Sequence, residues 1–387
     1  AMPHATATER VIQAGEPIVM DFGALVGGYC SDITRTIVLG KAEDRYHETW
    51  QLVRSAQQAV FDHLRAGMTG VEADALARDV FAAAGAAFEK IKFDIGLVCR
   101  IGNLDKVLYP ETGTTKGEVL AYYQAIAPAL LPHVAGRCIT FRRYPDGVDG
   151  VSFFEKRCPQ HRPDWVQVAT GPGDHKSPIE YCRIDDLPTL VWAANLAALE
   201  LHAPMARAGR LDRPDMVVFD LDPGPPAAMT ECAEVALDLA SLFEQVGLQS
   251  FPKTSGSKGL QLYVPINGPL THDDAADFAL AVGRLMDQLM PGRTLTSMAK
   301  AERSGKVFID WSQNSFHKTT VAAYSLRARP RPTVSTPVSW DEVEAAAGGA
   351  ELSFTFDQVL ERVERDGDRF APTLTLEQQL PVGPATP

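Results

Sequence analysis

Two aspartates at the end of an apolar run, Met216-Val217-Val218-Phe219-Asp220-Leu221-Asp222-Pro223-Gly224, are the side chains of this sequence best placed to do chemistry. If the run is a strand, acids at i and i+2 project from the same face of a sheet. Hard divalent cations take carboxylate oxygens as ligands. Two such ions about 3.5–4 Å apart serve phosphoryl and nucleotidyl transfer, clamping the attacking and the leaving oxygen. Exposed strand faces also carry aspartates with no such role. Here, however, Val217, Phe219 and Leu221 mark the opposite face as buried, and Pro223-Gly224 ends the strand. A third acid, Asp310, stands at the end of a second apolar run, Lys306-Val307-Phe308-Ile309-Asp310-Trp311-Ser312-Gln313, and would complete a two-metal site.

Between these runs lies Thr254-Ser255-Gly256-Ser257-Lys258-Gly259, followed by Leu260-Gln261-Leu262-Tyr263-Val264. Small residues let backbone N–H groups approach phosphate oxygens, hydroxyls donate, and Lys258 adds a point charge. The spacing is not that of a Walker loop, and a strand rather than a helix follows. Taken alone the segment reads as a flexible loop; beside three aspartates, triphosphate binding is the better reading.

The elements that must hold these residues follow from periodicity. From about Phe93 the order predicts a helix near 115–128, strands near 137–143, 165–170 and 179–184, and a helix near 187–200. A strand at 215–220, a helix near 227–247, a strand near 259–265, a helix near 272–290 and strands near 306–311 and 319–325 follow. Pro330, Pro332 and Pro337 mark an extended stretch, then comes a short helix near 357–365. Strands alternating with helices predict an α/β (α+β) fold, a mixed catalytic sheet flanked by helices. Residues 1–90 read as a separate strand, hairpin and helix unit, 91–375 as the large domain, and 376–387 as a loose tail. A length of 387 residues suits such a division.

The net charge of −12 argues at first against a nucleic-acid partner. Its distribution weakens that objection: residues 1–90 hold 8 Lys/Arg against 12 Asp/Glu, 331–387 hold 4 against 10, and the middle is nearly neutral at 25 against 27. No apolar run approaches the roughly 18 residues of a membrane span, and no signal-peptide layout opens the sequence. A cytoplasmic, nucleoid-associated protein with no membrane partner is expected. The six cysteines are scattered in a way that fits reduced thiols. Cys158-Pro-Gln-His161 with Cys182 resembles half of a zinc site, but a second close ligand pair is lacking.

Taken together, Phe-Asp-Leu-Asp-Pro-Gly at 219–224, Thr-Ser-Gly-Ser-Lys-Gly-Leu at 254–260, Lys-Val-Phe-Ile-Asp-Trp-Ser-Gln-Asn at 306–314 and Tyr324-Ser325-Leu326-Arg327 occur in the order found in one family. Over about residues 93–375 the chain resembles the polymerase domain of bacterial ligase D, within the archaeo-eukaryotic primase superfamily. The resemblance implies a primase-polymerase fold and nucleotide addition at DNA ends or gaps bearing a 5′-phosphate, with ribonucleotides preferred, during non-homologous end joining. It implies two Mn²⁺ or Mg²⁺ ions on Asp220, Asp222 and Asp310. The substrate NTP or dNTP would be held by His202, at the end of its helix, with Ser255, Lys258 and Arg303, and contacted by Gln313 and Arg327. Asn103, Lys106 and Lys116 would hold the DNA 5′-phosphate. Arg142, Arg143, Phe153 and Phe154 would meet phosphates and a template base, although burial of both rings is an equal alternative from sequence. Ku and a separate DNA ligase are the implied partners. One position departs from the pattern: Gln261 stands where many relatives carry His, and glutamine donates a hydrogen bond but cannot become a cation.

Residues 3–85 resemble something different, the catalytic half of a pita-bread metallopeptidase of the aminopeptidase P and prolidase type. Pro3-His4-Ala5, Val19-Met20-Asp21-Phe22-Gly23 and Gly28-Tyr29-Cys30-Ser31-Asp32-Ile33-Thr34-Arg35-Thr36 carry the likeness. It puts Asp21 and Asp32 at the first two metal-ligand positions and His4 at the active-site histidine. The later His and two Glu of that family are not supplied, so a truncated remnant is expected rather than an Xaa-Pro peptidase. The other competing expectation is a catalytically silent module that binds DNA ends.

Overall fold

The computed structural model describes residues 14–22, 25–26, 29–30, 33–42, 44–65, 67–84, 103–173 and 177–381. The chain divides into two compact units, Ala1–Arg100 and Ile101–Pro387. In the first, β1 (Pro17–Phe22), β2 (Leu25–Val26), β3 (Tyr29–Cys30) and β4 (Ile33–Val38) form nested antiparallel pairs, β1 with β4 and β2 with β3. Helices α1 (Asp44–His63) and α2 (Gly70–Ala83) follow, α2 opened by a Thr69–Glu72 capping box. Ala56 and Phe81 are buried between them with Leu52, Val53, Ala77 and Val80 alongside. Asp21 lies on β1. His4, Asp32 and the side chain of Asp21 fall outside the described residues.

The second unit begins with a short pair, β5 (Val107–Tyr109) and β6 (Thr114–Thr115), leading into α3 (Lys116–Val134). Helix α3 runs past Pro128 and Pro132, where sequence predicts a stop. A buried face of Val119, Tyr122, Tyr123, Ile126 and Leu130 explains the continuation, since tertiary packing overrides local propensity. Next come β7 (Thr140–Arg143), β8 (Phe153–Glu155), β9 (Val168–Gly171), β10 (Ile179–Cys182), α4 (Leu187–Asn195) and β11 (Ala198–Ala203). The single helix expected at 187–200 is thus a shorter helix and a strand. Ala197 takes a left-handed φ of 57°, which ends the helix and turns the chain.

The remaining elements are β12 (Met216–Pro223), α5 (Met229–Gln245), β13 (Phe251–Thr254), β14 (Leu260–Pro265), α6 (His272–Leu289), β15 (Thr294–Leu295), β16 (Val307–Asp310), β17 (Thr320–Val321), α7 (Trp340–Ala347) and α8 (Phe356–Asp366). They build a five-stranded sheet in the order β13-β14-β12-β16-β15 and a four-stranded sheet in the order β17-β11-β7-β8. The result is a mixed α/β architecture. Val217, Phe219 and Leu221 of β12 are fully buried in one core with Val235, Leu239 and Phe243 of α5 and Ala279 and Met286 of α6. Burial of each large apolar side chain contributes about 1.5–3 kcal/mol, so this face fixes the strand and turns Asp220 and Asp222 to the other side.

Two further departures concern the cysteines and the tail. Cys158 and Cys182, expected as thiols, are joined in a disulfide across a Cα–Cα separation of 4.8 Å. Residues 24 apart in sequence meet because the segment after β8 crosses β10, a relation that spacing does not encode. Residues 377–381 dock through Gln378, which accepts from Asn267 N and Gln249 N, and through buried Leu380. No described helix is long and apolar enough to cross a membrane.

Candidate active site

The central feature is a row of polar side chains crossing four strands. Asp310 pairs with Asp220 between β16 and β12, Asp220 with Gln261 between β12 and β14, and Gln261 with Lys253 between β14 and β13. Directly opposed residues share a face of the sheet, with Cβ atoms about 4.5–5.5 Å apart. Asp222, two residues beyond Asp220, joins the same face. The three aspartates expected from sequence are therefore brought together, Asp220 and Asp310 buried and Asp222 exposed at the strand end.

Each acid is held differently. Asp310 Oδ1 accepts from Ser312 N at 3.1 Å and Ser312 Oγ at 2.6 Å, and Oδ2 accepts from Gln313 Nε2 at 3.0 Å. Gln313, expected near the nucleotide, orients this carboxylate. Asp220 Oδ1 accepts from Gln261 Nε2 at 3.0 Å. Burial, and then the neighbouring charges of Asp222 and Asp310, raise the Asp220 carboxyl well above the ordinary carboxylate range, against the Gln261 hydrogen bond and Lys253. Lys253, which sequence reasoning passed over, is fully buried. Its Nζ donates to Gln261 Oε1 at 2.6 Å, Ser335 Oγ at 2.7 Å and Val321 O at 3.1 Å. Burial pushes this amine down to about 7, opposed by Asp220. A lysine two residues before Ser255, inside a short strand, was the available signal.

The loop Ser255–Gly259 joins β13 to β14 and reaches the end of β12 that bears Asp222. Gly259 is required there, because a Cβ on it would meet Leu221 O at 2.2 Å and approach Asp222 Oδ1 at 3.4 Å. Gly256 takes a φ of +67°. Ser255 Oγ accepts from Gly259 N at 3.1 Å and Ser257 N at 3.3 Å, so it shapes the loop and keeps its own proton for a ligand. Lys258 is exposed and borders a cavity of about 280 Å³ lined by Pro223, Pro225, Ala227, Ala228 and Met229. Arg303 lies 3.6 Å over the ring of Phe308, the cross-strand partner of Asp222. Arg327 anchors the loop by donating to Ser255 O at 3.1 Å.

His202 sits on β11 rather than at a helix end. It bonds Glu200 Oε2 at 2.9 Å, and Glu200 also pairs with Arg327 at 3.3 Å and Arg142 at 3.7 Å. Burial opposes the Glu200 charge, but His202, Arg327 and the Ala328 N–H outweigh it and hold the carboxyl down at about 2. Burial lowers His202, leaving a neutral ring at pH 7. Glu200 was not anticipated; a lone acid within Ala198-Leu199-Glu200-Leu201 was its signal.

Phe153 and Phe154 are 42% and 57% exposed, which removes the alternative of core burial. Arg142 lies 5.2 Å over Phe154 and Arg143 lies 5.4 Å over Phe153. Neither arginine is a free cation, since Arg143 also pairs with Glu155 at 3.1 Å. Asn103, Lys106 and Lys116 cluster at the start of α3, where Lys116 N donates to Lys106 O and Gly117 N to Leu104 O, both at 2.8 Å. Lys106 Nζ pairs with Asp146 at 2.9 Å, and Lys116 is buried.

Among the described residues no three acids, histidines or cysteines close around one ion. The row is instead an open set of carboxylates in which burial, and then mutual repulsion, raises Asp220 and Asp222. That fits Mg²⁺ or Mn²⁺ in the manner of nucleotide-dependent sites, where one or two carboxylates share the ion with substrate phosphates and water.

Paired strand-borne carboxylates beside a small-residue, lysine-bearing loop define a nucleotide-handling, metal-dependent class of site. The model for the LigD primase-polymerase domain matches residues 115–370, and the chain belongs to that family. The multifunctional non-homologous end joining protein LigD of Mycolicibacterium smegmatis is 44% identical over 276 residues, 70% of this chain and 36% of that protein. The bifunctional non-homologous end joining protein LigD of Bacillus subtilis is 32% identical over 269 residues, 69% of this chain and 43% of that protein. The chain thus spans less than half the length of these relatives. The polymerase domain of Mycobacterium tuberculosis ligase D, solved in complex with DNA, superposes with a TM-score of 0.68 at 41% identity, covering 71% of this chain and 98% of that one. At the other end, the metallopeptidase family M24 model matches residues 1–121. The peptidase YqhT of Bacillus subtilis is 47% identical over 85 residues, 22% of this chain and 24% of that protein.

Proposed function

We propose that residues 101–381 form a primase-polymerase that adds nucleotides, ribonucleotides by preference, at DNA ends or gaps with a 5′-phosphate during non-homologous end joining. The observation that carries this is the shared face of Asp220, Asp222 and Asp310 beside the Ser255–Gly259 loop. Two Mg²⁺ or Mn²⁺ ions on these acids would lower the barrier to displacement at the α-phosphorus by stabilising the attacking and leaving oxygens. The chain's own groups do the rest. Ser255 Oγ, Lys258 and Arg303 grip the triphosphate, and His202, whose Nε2–H is given to Glu200, contacts it. The primer 3′-hydroxyl attacks the α-phosphorus and pyrophosphate leaves. Asn103, Lys106 and Lys116, at the positive end of the α3 dipole, hold the 5′-phosphate of the downstream strand. The exposed Phe153 and Phe154 stack against a template base. Ku and a separate ligase are the expected partners, at DNA in the cytoplasm.

The test is extension of a primer on a 5′-phosphorylated gapped duplex with Mn²⁺ and ribonucleotides. Wild type should extend, and Asp220→Ala with Asp222→Ala should not. Equal products from both would remove the polymerase reading and leave an end-binding module.

A further inference from the structure

We infer that Lys253 is a positioning residue for the metal site, acting through Gln261 to fix which oxygen of Asp220 faces the ions; this rests on the proposed two-metal reading. The argument begins with the amide. A glutamine side chain has two orientations related by a half-turn, one presenting N–H groups and the other a carbonyl oxygen. Nothing in Gln261 itself selects between them. Lys253 does, because its Nζ sits among acceptors and donates to them, and at 2.6 Å it claims Oε1. Tyr263 OH donates to the same oxygen at 3.4 Å. Nε2 is then obliged to face Asp220, whose Oδ1 it meets at 3.0 Å.

The ammonium is held as firmly as the amide it orients. Its three acceptors are Gln261 Oε1, Val321 O and Ser335 Oγ, and Ser335 Oγ in turn donates to Thr254 O at 2.9 Å. Three acceptors take up the three protons of an ammonium, so no rotation of Nζ releases Gln261 without breaking a bond in a buried site. Val321 lies on β17 of the second sheet, and Ser335 on the extended chain beside β13. The orientation of the amide is therefore set by elements that carry no metal ligand. With Oδ1 of Asp220 committed to the amide, Oδ2 is the oxygen left for a cation. Without Lys253 the amide would be free to turn its own oxygen towards Asp220, placing two acceptors against each other. Groups that orient a metal ligand from behind typically change metal affinity 10- to 100-fold when removed.

The deciding measurement is Mn²⁺ affinity of the full chain, read from the free-ion electron paramagnetic resonance signal without nucleotide or DNA. Lys253→Met and Gln261→Met should each weaken binding by roughly tenfold, and the double variant should be no weaker than either single one, because both changes remove one path. Unchanged affinity in Lys253→Met, or losses that multiply in the double variant, would overturn the inference. If Lys253→Met does not fold, Gln261→Met keeps the ammonium and most of the volume, and unchanged affinity there is equally decisive against it. Absence of Mn²⁺ binding by the wild type would instead remove the metal reading itself, an outcome distinct from both.

Discussion

Asp310 is the cross-strand partner of Asp220, so two acids occupy one pleat of a sheet whose other face is sealed by α5 and α6. A like-charged pair in that position is unfavourable without a cation. The Asp220 carboxyl is raised by burial first and by Asp222 and Asp310 after it. A raised folded-state value means that the metal-free protein gains stability from this group below the ordinary aspartate range and loses it as pH rises towards neutrality. Melting temperature without divalent metal is thus expected to fall between about pH 5 and 7.5, apart from other groups. Added Mn²⁺ should raise it more at pH 7.5 than at pH 5. Asp220→Asn should flatten the slope. A thermal melt series with an unchanged slope in that variant would count against the repulsion argument.

Gly259 offers a second test, of the loop rather than the acids. A methyl group there meets Leu221 O at 2.2 Å, so the first residue of β14 must withdraw from β12. Overpacking of this kind costs about 1–3 kcal/mol. Gly259→Ala should lose about 2 kcal/mol in a urea melt. It should also lower nucleotide addition at temperatures where the variant is still folded, because the displaced backbone carries the loop away from Asp222. Full activity in a destabilised variant would separate the loop from the chemistry.

Much of this site was legible before the fold. Asp220, Asp222 and Asp310 announce themselves because each ends an apolar strand run whose opposite face must be buried, and periodicity of two then fixes their direction. The Ser255–Gly259 loop is legible only beside those acids, since small residues before a strand read on their own as a flexible turn. His202 was misplaced onto a helix because Leu187–Ala203 is rich in Ala and Leu throughout, and only the left-handed turn at Ala197 breaks it. Helix α7 was missed although Ser339 and Glu342 form a capping box. The partners of charges were not legible at all. Arg142, Arg143 and Lys253 look alike in sequence as basic residues, and which carboxylate or carbonyl each one meets is decided by contacts between distant strands.

Glu200 shows what such a hidden partner is worth. It accepts from the neutral His202 ring and pairs with Arg327 at the junction between β11 and the Ser255–Gly259 loop. Glu200→Gln keeps the shape and the acceptor for Ala328 N but leaves the largely buried Arg327 without its counter-charge. Breaking such a pair costs about 3–5 kcal/mol. The lower end is expected, with a raised KM for nucleotide because Arg327 also holds Ser255 O. The sign in acid follows from the depressed carboxyl at about 2. Its contribution is present above the ordinary glutamate value and is lost as pH falls through about 2, so the gap between wild type and variant should narrow in acid melts. A gap that widened in acid would contradict the assignment.

Phe154 separates stacking from charge in DNA binding. The ring is 57% exposed, so Phe154→Ala removes little core and should change stability by less than about 0.5 kcal/mol. Stacking of a base on an aromatic ring is worth about 1–3 kcal/mol, which predicts a loss of roughly 5- to 150-fold in affinity for a gapped substrate with an unpaired template base. No phosphate contact is removed, because Arg142 stays paired with Glu200. The dependence of affinity on salt should accordingly keep its slope while the whole line shifts, whereas Lys106→Ala should reduce the slope by about one. Fluorescence anisotropy across a salt series reads both. A changed slope in Phe154→Ala would mean that the ring works by steering Arg142 to a phosphate, and equal affinity for wild type and variant would mean that no base stacks there.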